Sequence, residues 1–76
     1  MILYAGGYLA FYTPDQNPEM ACVLADQVPL RDLLSEIGIP AAEVQLVILN
    51  GAIVDLEQTY VQNQDVVKIF PGVDGG

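Results

Sequence analysis

The spacing of apolar positions changes three times along the chain, and each change predicts a different element. Residues 2–13 carry no helical stripe. Leu9 and Phe11 fall on one side and Tyr8 and Tyr12 on the other, the two-residue period of a strand. Gly6-Gly7 inside this run predicts a bulge or a ragged start. Thr13-Pro14-Asp15-Gln16-Asn17-Pro18 is a dense run of turn formers, and residues 19–25 read as a second strand, so an antiparallel hairpin is expected. Leu30, Leu33, Leu34 and Ile37 then stand at i, i+3, i+4 and i+7, the buried stripe of an amphipathic helix. Pro29 suits its first position, Gly38 a left-handed C-terminal cap, and Pro40 forbids continuation. Arg31, Asp32, Ser35 and Glu36 fall on its wet side. About two turns of helix cannot stand alone, so it must pack on a sheet.

Residues 44–49 form a nearly continuous β-prone run, and Asn50-Gly51 is the strongest hairpin signal in the chain. Residues 52–54 return as a short strand. Residues 55–64 are polar and irregular, with Leu56, Tyr60 and Val61 as plugs beneath a long loop, and residues 66–70 make the last strand. The order is β-β-α-β-β-β, an α+β domain whose single helix covers one face of a mixed sheet. In the last strand Lys68 marks the outer side, so Val67 and Ile69 should meet the helix while Val66, Lys68 and Phe70 face away. The same alternation sets Val47 and Leu49 against Leu46 and Ile48. Leu46, Ile48, Phe70 and Lys68 are therefore the candidate partner-docking patch, on the side no helix covers. The pairing of the first and last strands is not encoded in any local pattern.

Composition narrows the chemistry. The chain has 76 residues, enough for one domain, and 53% of them are hydrophobic, which excludes intrinsic disorder. Two basic residues against ten acidic give a net charge of −8, so nucleic acid and anionic membranes would repel it, and a charged partner should present a basic surface. There is no His, one Cys (Cys22) and one Ser (Ser35). Without His, the usual Ser-His and Cys-His pairs are missing, as is an ordinary zinc site, and an enzyme is not expected. No metal site is expected either: Asp55 and Glu57 lack calcium-loop spacing and read as a solvated loop. Cys22 reads as a buried structural thiol in the second strand, and Tyr8 and Tyr12 as cover for the hairpin. The apolar start, residues 1–12, has no basic flank and is too short to span a bilayer, which makes a cytoplasmic address the default expectation.

Pro71-Gly72-Val73-Asp74-Gly75-Gly76 is expected to leave the sheet as a flexible tail over residues 71–76. A Gly-Gly end can enter a tunnel too narrow for side chains. Its α-carboxylate, with a reference pKa of about 3.3–3.7, is ionised and a poor electrophile until converted to an acyl-adenylate. That conversion needs no catalytic residue in this chain.

Three stretches carry a resemblance. They are Val28-Pro29-Leu30-Arg31-Asp32-Leu33-Leu34-Ser35-Glu36-Ile37-Gly38-Ile39-Pro40, then Leu46-Val47-Ile48-Leu49-Asn50-Gly51, then Asp65-Val66-Val67-Lys68-Ile69-Phe70-Pro71 leading to Gly75-Gly76. In this order and spacing the chain resembles the ubiquitin-like sulfur carriers of the β-grasp fold, the group holding the thiamine-biosynthesis carrier and the small subunit of molybdopterin synthase. The resemblance implies that an adenylating enzyme of the ubiquitin-activating type, using ATP and Mg, activates Gly76. A sulfurtransferase then supplies sulfur, and the resulting thiocarboxylate serves a sulfur-accepting synthase subunit. The carrier itself binds no cofactor. Gly75 and Asp74 would accompany Gly76 into the partner. The chain departs from the pattern at Asn63-Gln64-Asp65, where a glycine usually precedes the aspartate and Asn63 is expected to take the left-handed role; at Pro71-Gly72; and at Asp74, a charge beside the diglycine. Two other classes stay open: a ubiquitin-like modifier joined to target lysines through Gly76, and a non-covalent interaction module with an inert tail.

Overall fold

The computed structural model describes residues 1–72. Strand β1, Ile2–Ala5, is followed by a 3-10 segment, Gly7–Tyr12, then by strand β2, Glu19–Ala21. The expected first strand is therefore cut to four residues. Gly7 has φ 55°, a left-handed turn that an extended run cannot contain, and the next residues wind with a three-residue repeat. Leu9 goes inside, fully buried, while Tyr8 and Phe11, eclipsed three apart, stay exposed. A short aromatic run fits a period of two or of three, and the glycine decides. Thr13 closes the segment: its buried hydroxyl lies 2.8 Å from the carbonyl of Ala10 and 2.6 Å from that of Asn17. Gly6 is no bulge, because its N–H donates to Ile69 O at 2.8 Å and prolongs the pairing of β1 with the last strand.

The second strand also ends early, and Cys22 lies just past it, half-buried against the core rather than fully enclosed. The following loop is tied down by Asn63, whose side-chain oxygen accepts from Leu24 N at 2.9 Å. Asn63 does not take the left-handed backbone expected of it; outside glycine, positive φ falls to Asp15, Gln16 and Asn50. Strand β3, Val28–Pro29, leads into helix α1, Leu30–Ile37. Pro29 is the residue before the first helical position, and Gly38 at φ 105° caps the end as expected. Strand β4, Val44–Leu49, and strand β5, Ala52–Val54, flank the Asn50-Gly51 turn. Strand β6, Tyr60–Val61, pairs with β3 in a two-stranded ribbon that sequence pattern did not reveal. Within residues 55–64, Val61 is fully buried and Leu56 packs on the core, but Tyr60 points outward. Strand β7, Val66–Pro71, completes the set.

The main sheet runs β2-β1-β7-β4-β5. Its centre is a parallel pair, β1 beside β7, with Ile2 opposite Val66 and Ala5 opposite Ile69. All other pairings are antiparallel. Leu30 and Leu34 of α1 are fully buried together with Leu3, Val67 and Ile69, so the predicted inner side of β7 does meet the helix. Five mixed strands grasping one helix make this the ubiquitin-like β-grasp architecture, an α+β fold. Among the described residues no helix is long and apolar enough to cross a membrane.

The Asn50-Gly51 turn does more than reverse the chain. Asn50, at φ 49°, accepts from Val66 N at 2.8 Å through Oδ1 and donates from Nδ2 to Asp65 Oδ1 at 3.0 Å. The other Asp65 oxygen accepts from Gln62 N at 2.9 Å, so each oxygen of this buried carboxylate has a partner. The Asn50→Ala variant, losing both bonds and holding a Cβ at positive φ without the polar side chain that supports it there, should be less stable by about 1–3 kcal/mol in urea unfolding. Asn50→Gly, which tolerates the backbone, should recover only the strain part of that loss.

Candidate docking face and tail exit

The side of the sheet away from α1 is built by register. Leu46 lies opposite Phe70, and Lys68 lies between Ile48 on one neighbour and Tyr4 on the other. Leu46, Ile48, Phe70 and Lys68 thus come together across β4 and β7, the first three half-buried and Lys68 exposed. None of the four belongs to the core cluster. One row crosses all five strands: Glu19, Tyr4, Lys68, Ile48, Ile53. The rings of Tyr4 and Phe70 are tilted at 53° with centroids 6.1 Å apart, within the range of a favourable aromatic contact.

Sequence reasoning missed part of this face. Ile53 is 75% exposed, the barest large apolar residue on it. A two-residue Asn-Gly hairpin fixes Leu49 opposite Ala52 and Ile48 opposite Ile53, so Ile53 could have been read from the turn. Ile2 and Tyr4 could not, since they join the face only through the parallel β1–β7 pair.

The end of β7 has its own seat. A Cβ on Gly6 would stand 2.8 Å from Cε1 of Phe70 and closer still to Cδ1, and one on Gly7 would stand 2.9 Å from Cγ of Pro71. The glycine pair lets Phe70 and Pro71 lie directly on the backbone that leaves β1. Pro71 does not depart from the sheet as expected. It stays in β7 opposite Val44, past an irregularity between Val44 and Leu46 where a missing N–H is tolerated. Gly72 follows against Gln45. Asp74, Gly75 and Gly76 lie outside the described residues.

The described residues hold no catalytic constellation. Ser35 is exposed on α1, and Cys22 has no base beside it in a chain without His. A depression lined by Gly7, Ala10, Phe11 and Gln16 measures about 190 Å³, below the usual size of a small-molecule site. Elsewhere, Arg31 is engaged with Glu57. Tyr12 donates to Glu43 Oε2 at 2.8 Å, and this bond to a carboxylate, followed by desolvation, raises the phenol above its ordinary pKa. These are surface ties, remote in kind from acid–base chemistry.

Residues 10–76 match the ThiS family. No curated protein matches the chain. The match takes in the helix, the Asn-Gly hairpin and β7, the same elements that assemble the grasp and its open face, and it covers all but the first nine residues. On that ground the chain belongs to the ThiS family of small sulfur-carrier proteins.

Proposed function

We propose that the chain carries sulfur on Gly76, as the thiocarboxylate of its terminal glycine, for cofactor biosynthesis of the molybdopterin or thiamine kind. The observation that supports this is that the family match runs through Gly76 itself. An activating enzyme using ATP and Mg adenylates the carboxylate: a carboxylate oxygen attacks the α-phosphorus and pyrophosphate leaves. A persulfide of a sulfurtransferase then displaces AMP at the acyl carbon to give an acyl disulfide. A second thiol attacks the donor-side sulfur, so that the S–S bond to the acyl sulfur breaks, a new disulfide forms on the donor and the thiocarboxylate leaves. The chain contributes no catalytic group. It contributes an end thin enough to thread, and a face by which the activating enzyme holds it: Leu46, Ile48, Phe70 and Lys68, widened by Tyr4 and Ile53.

The test is intact mass after incubation with the activating enzyme of the same cell, ATP, Mg and a sulfur source. The expected product gains the mass of one oxygen-to-sulfur exchange, and the gain disappears when ATP is withheld. An unchanged mass, or adducts joined to lysines of other proteins in place of the exchange, would overturn the carrier reading.

A further inference from the structure

Lys68 is the only lysine of the chain, and it stands on the central strand of the open face. Two strands separate it from the sheet edge on either side, at about 4.8 Å per strand. Its neighbours in the row are Tyr4 and Ile48, and along its own strand Val66 and Phe70 point the same way. The one acidic residue in the row, Glu19, sits at the far side of Tyr4 on the edge strand. Among the described residues the Lys68 ammonium has neither an ion pair nor a hydrogen bond, and the only ion pair is Arg31 with Glu57. Among the described residues Lys68 is therefore a cation without a counter-charge in the middle of a largely apolar surface, inside a molecule whose net charge is −8.

We infer that the activating enzyme meets this face with a carboxylate seated over Lys68, inside a surround that is otherwise apolar and, at its rim, basic. This deepens the carrier reading above and rests on it. The net charge draws a basic partner from a distance, but a wholly basic or apolar partner would bury the Lys68 ammonium without a counter-charge, a cost of several kcal/mol per ion. Toward β5 the four-carbon stem meets only Ile48 and Ile53, and toward β2 it meets Tyr4 before Glu19 on the edge strand, two strands away. A carboxylate at that spot converts the cost into recognition. It discriminates against basic surfaces that the long-range field would otherwise favour equally.

Three variants read this out with the purified activating enzyme: Lys68→Met, Lys68→Arg and Lys68→Glu, each first checked for unchanged thermal unfolding. With a facing carboxylate, Lys68→Met should weaken binding about tenfold or more, Lys68→Glu further, and Lys68→Arg only slightly. The loss should appear in KM for adenylation with kcat nearly preserved, since the chemistry lies at Gly76. Zero-length carbodiimide coupling of the wild-type pair should yield an amide between Lys68 Nζ and an Asp or Glu of the enzyme. If Lys68→Met binds as tightly as wild type or tighter, or no such amide forms, the inference is overturned while the carrier reading stands. If the enzyme does not adenylate the wild-type chain at all, both fall.

Discussion

Deleting Gly76, or adding one residue after it, should abolish adenylation while leaving the fold unchanged. The reacting atom must be a carboxylate oxygen held within about 3–3.5 Å of the α-phosphorus. Deletion withdraws the carboxylate by one residue, roughly 3.3–3.6 Å of chain, more than the whole near-attack distance. Extension turns the Gly76 carboxylate into an amide, which is no nucleophile. Neither change reaches the core, whose last residue is Ile69, so circular dichroism and the unfolding midpoint should stay as in wild type. Pyrophosphate release is the assay. Gly75→Val should approach the same loss, because a β-branched side chain both widens the tail and restricts its backbone. Ordinary turnover by either length variant would remove Gly76 from the chemistry.

The second large effect falls on stability. Leu34 is fully buried, and its carbonyl accepts from both Gly38 N and Ile39 N at 2.9 Å, so it anchors the helix by its side chain and closes it by its backbone. Leu34→Ala should cost about 2–5 kcal/mol through the cavity it leaves. Against the roughly 4–11 kcal/mol expected of 76 residues at about 0.05–0.15 kcal/mol each, that consumes a large share, and the variant should be partly unfolded at 37 °C. Leu33→Ala, at a site nearly as buried, should follow it. Phe70→Ala, on the opposite face and outside the core cluster, should lower the melting temperature much less than Leu34→Ala, losing only its contacts with Tyr4 and Gly6, while weakening the enzyme complex by more than about 1 kcal/mol. Comparable melting shifts for Leu34 and Phe70 would mean that the two faces are not divided as described.

What could be read from the chain beforehand follows physical range. The helix, its glycine cap, β4, the Asn-Gly hairpin and the inward pair Val67 and Ile69 all depend on neighbours within a few residues, and all were legible. Four of the face residues, Leu46, Ile48, Lys68 and Phe70, were legible for the same reason. Tyr4 and Ile2 were not, because a parallel pairing leaves no turn to announce it. The β3–β6 ribbon has two residues on each side, too few for any period. The misread first strand turned on Gly7, whose backbone angle outweighed the alternation of Tyr8 to Tyr12. Gly6 was visible, but its partner Phe70 lies at the other end of the sequence, so the seat it provides could not be.

The parallel pair at the centre of the sheet also governs the order in which the protein can be made. Strand β1 leaves the ribosome well before its parallel neighbour, with every other strand of the sheet made between them. Until β7 emerges, β1–β2 and β4–β5 are two separate ribbons, each marginal in water and each with a naked edge. Local hairpins form within about 1–10 μs, so the slow step is closing a loop nearly as long as the chain, the kind of contact that lowers folding rates. A product that stops before β7 has no central strand to join its halves and cannot fold. The strand that leads to Gly76 is thus the one that completes the structure, and a chain truncated ahead of it never becomes a well-formed decoy that could occupy the activating enzyme.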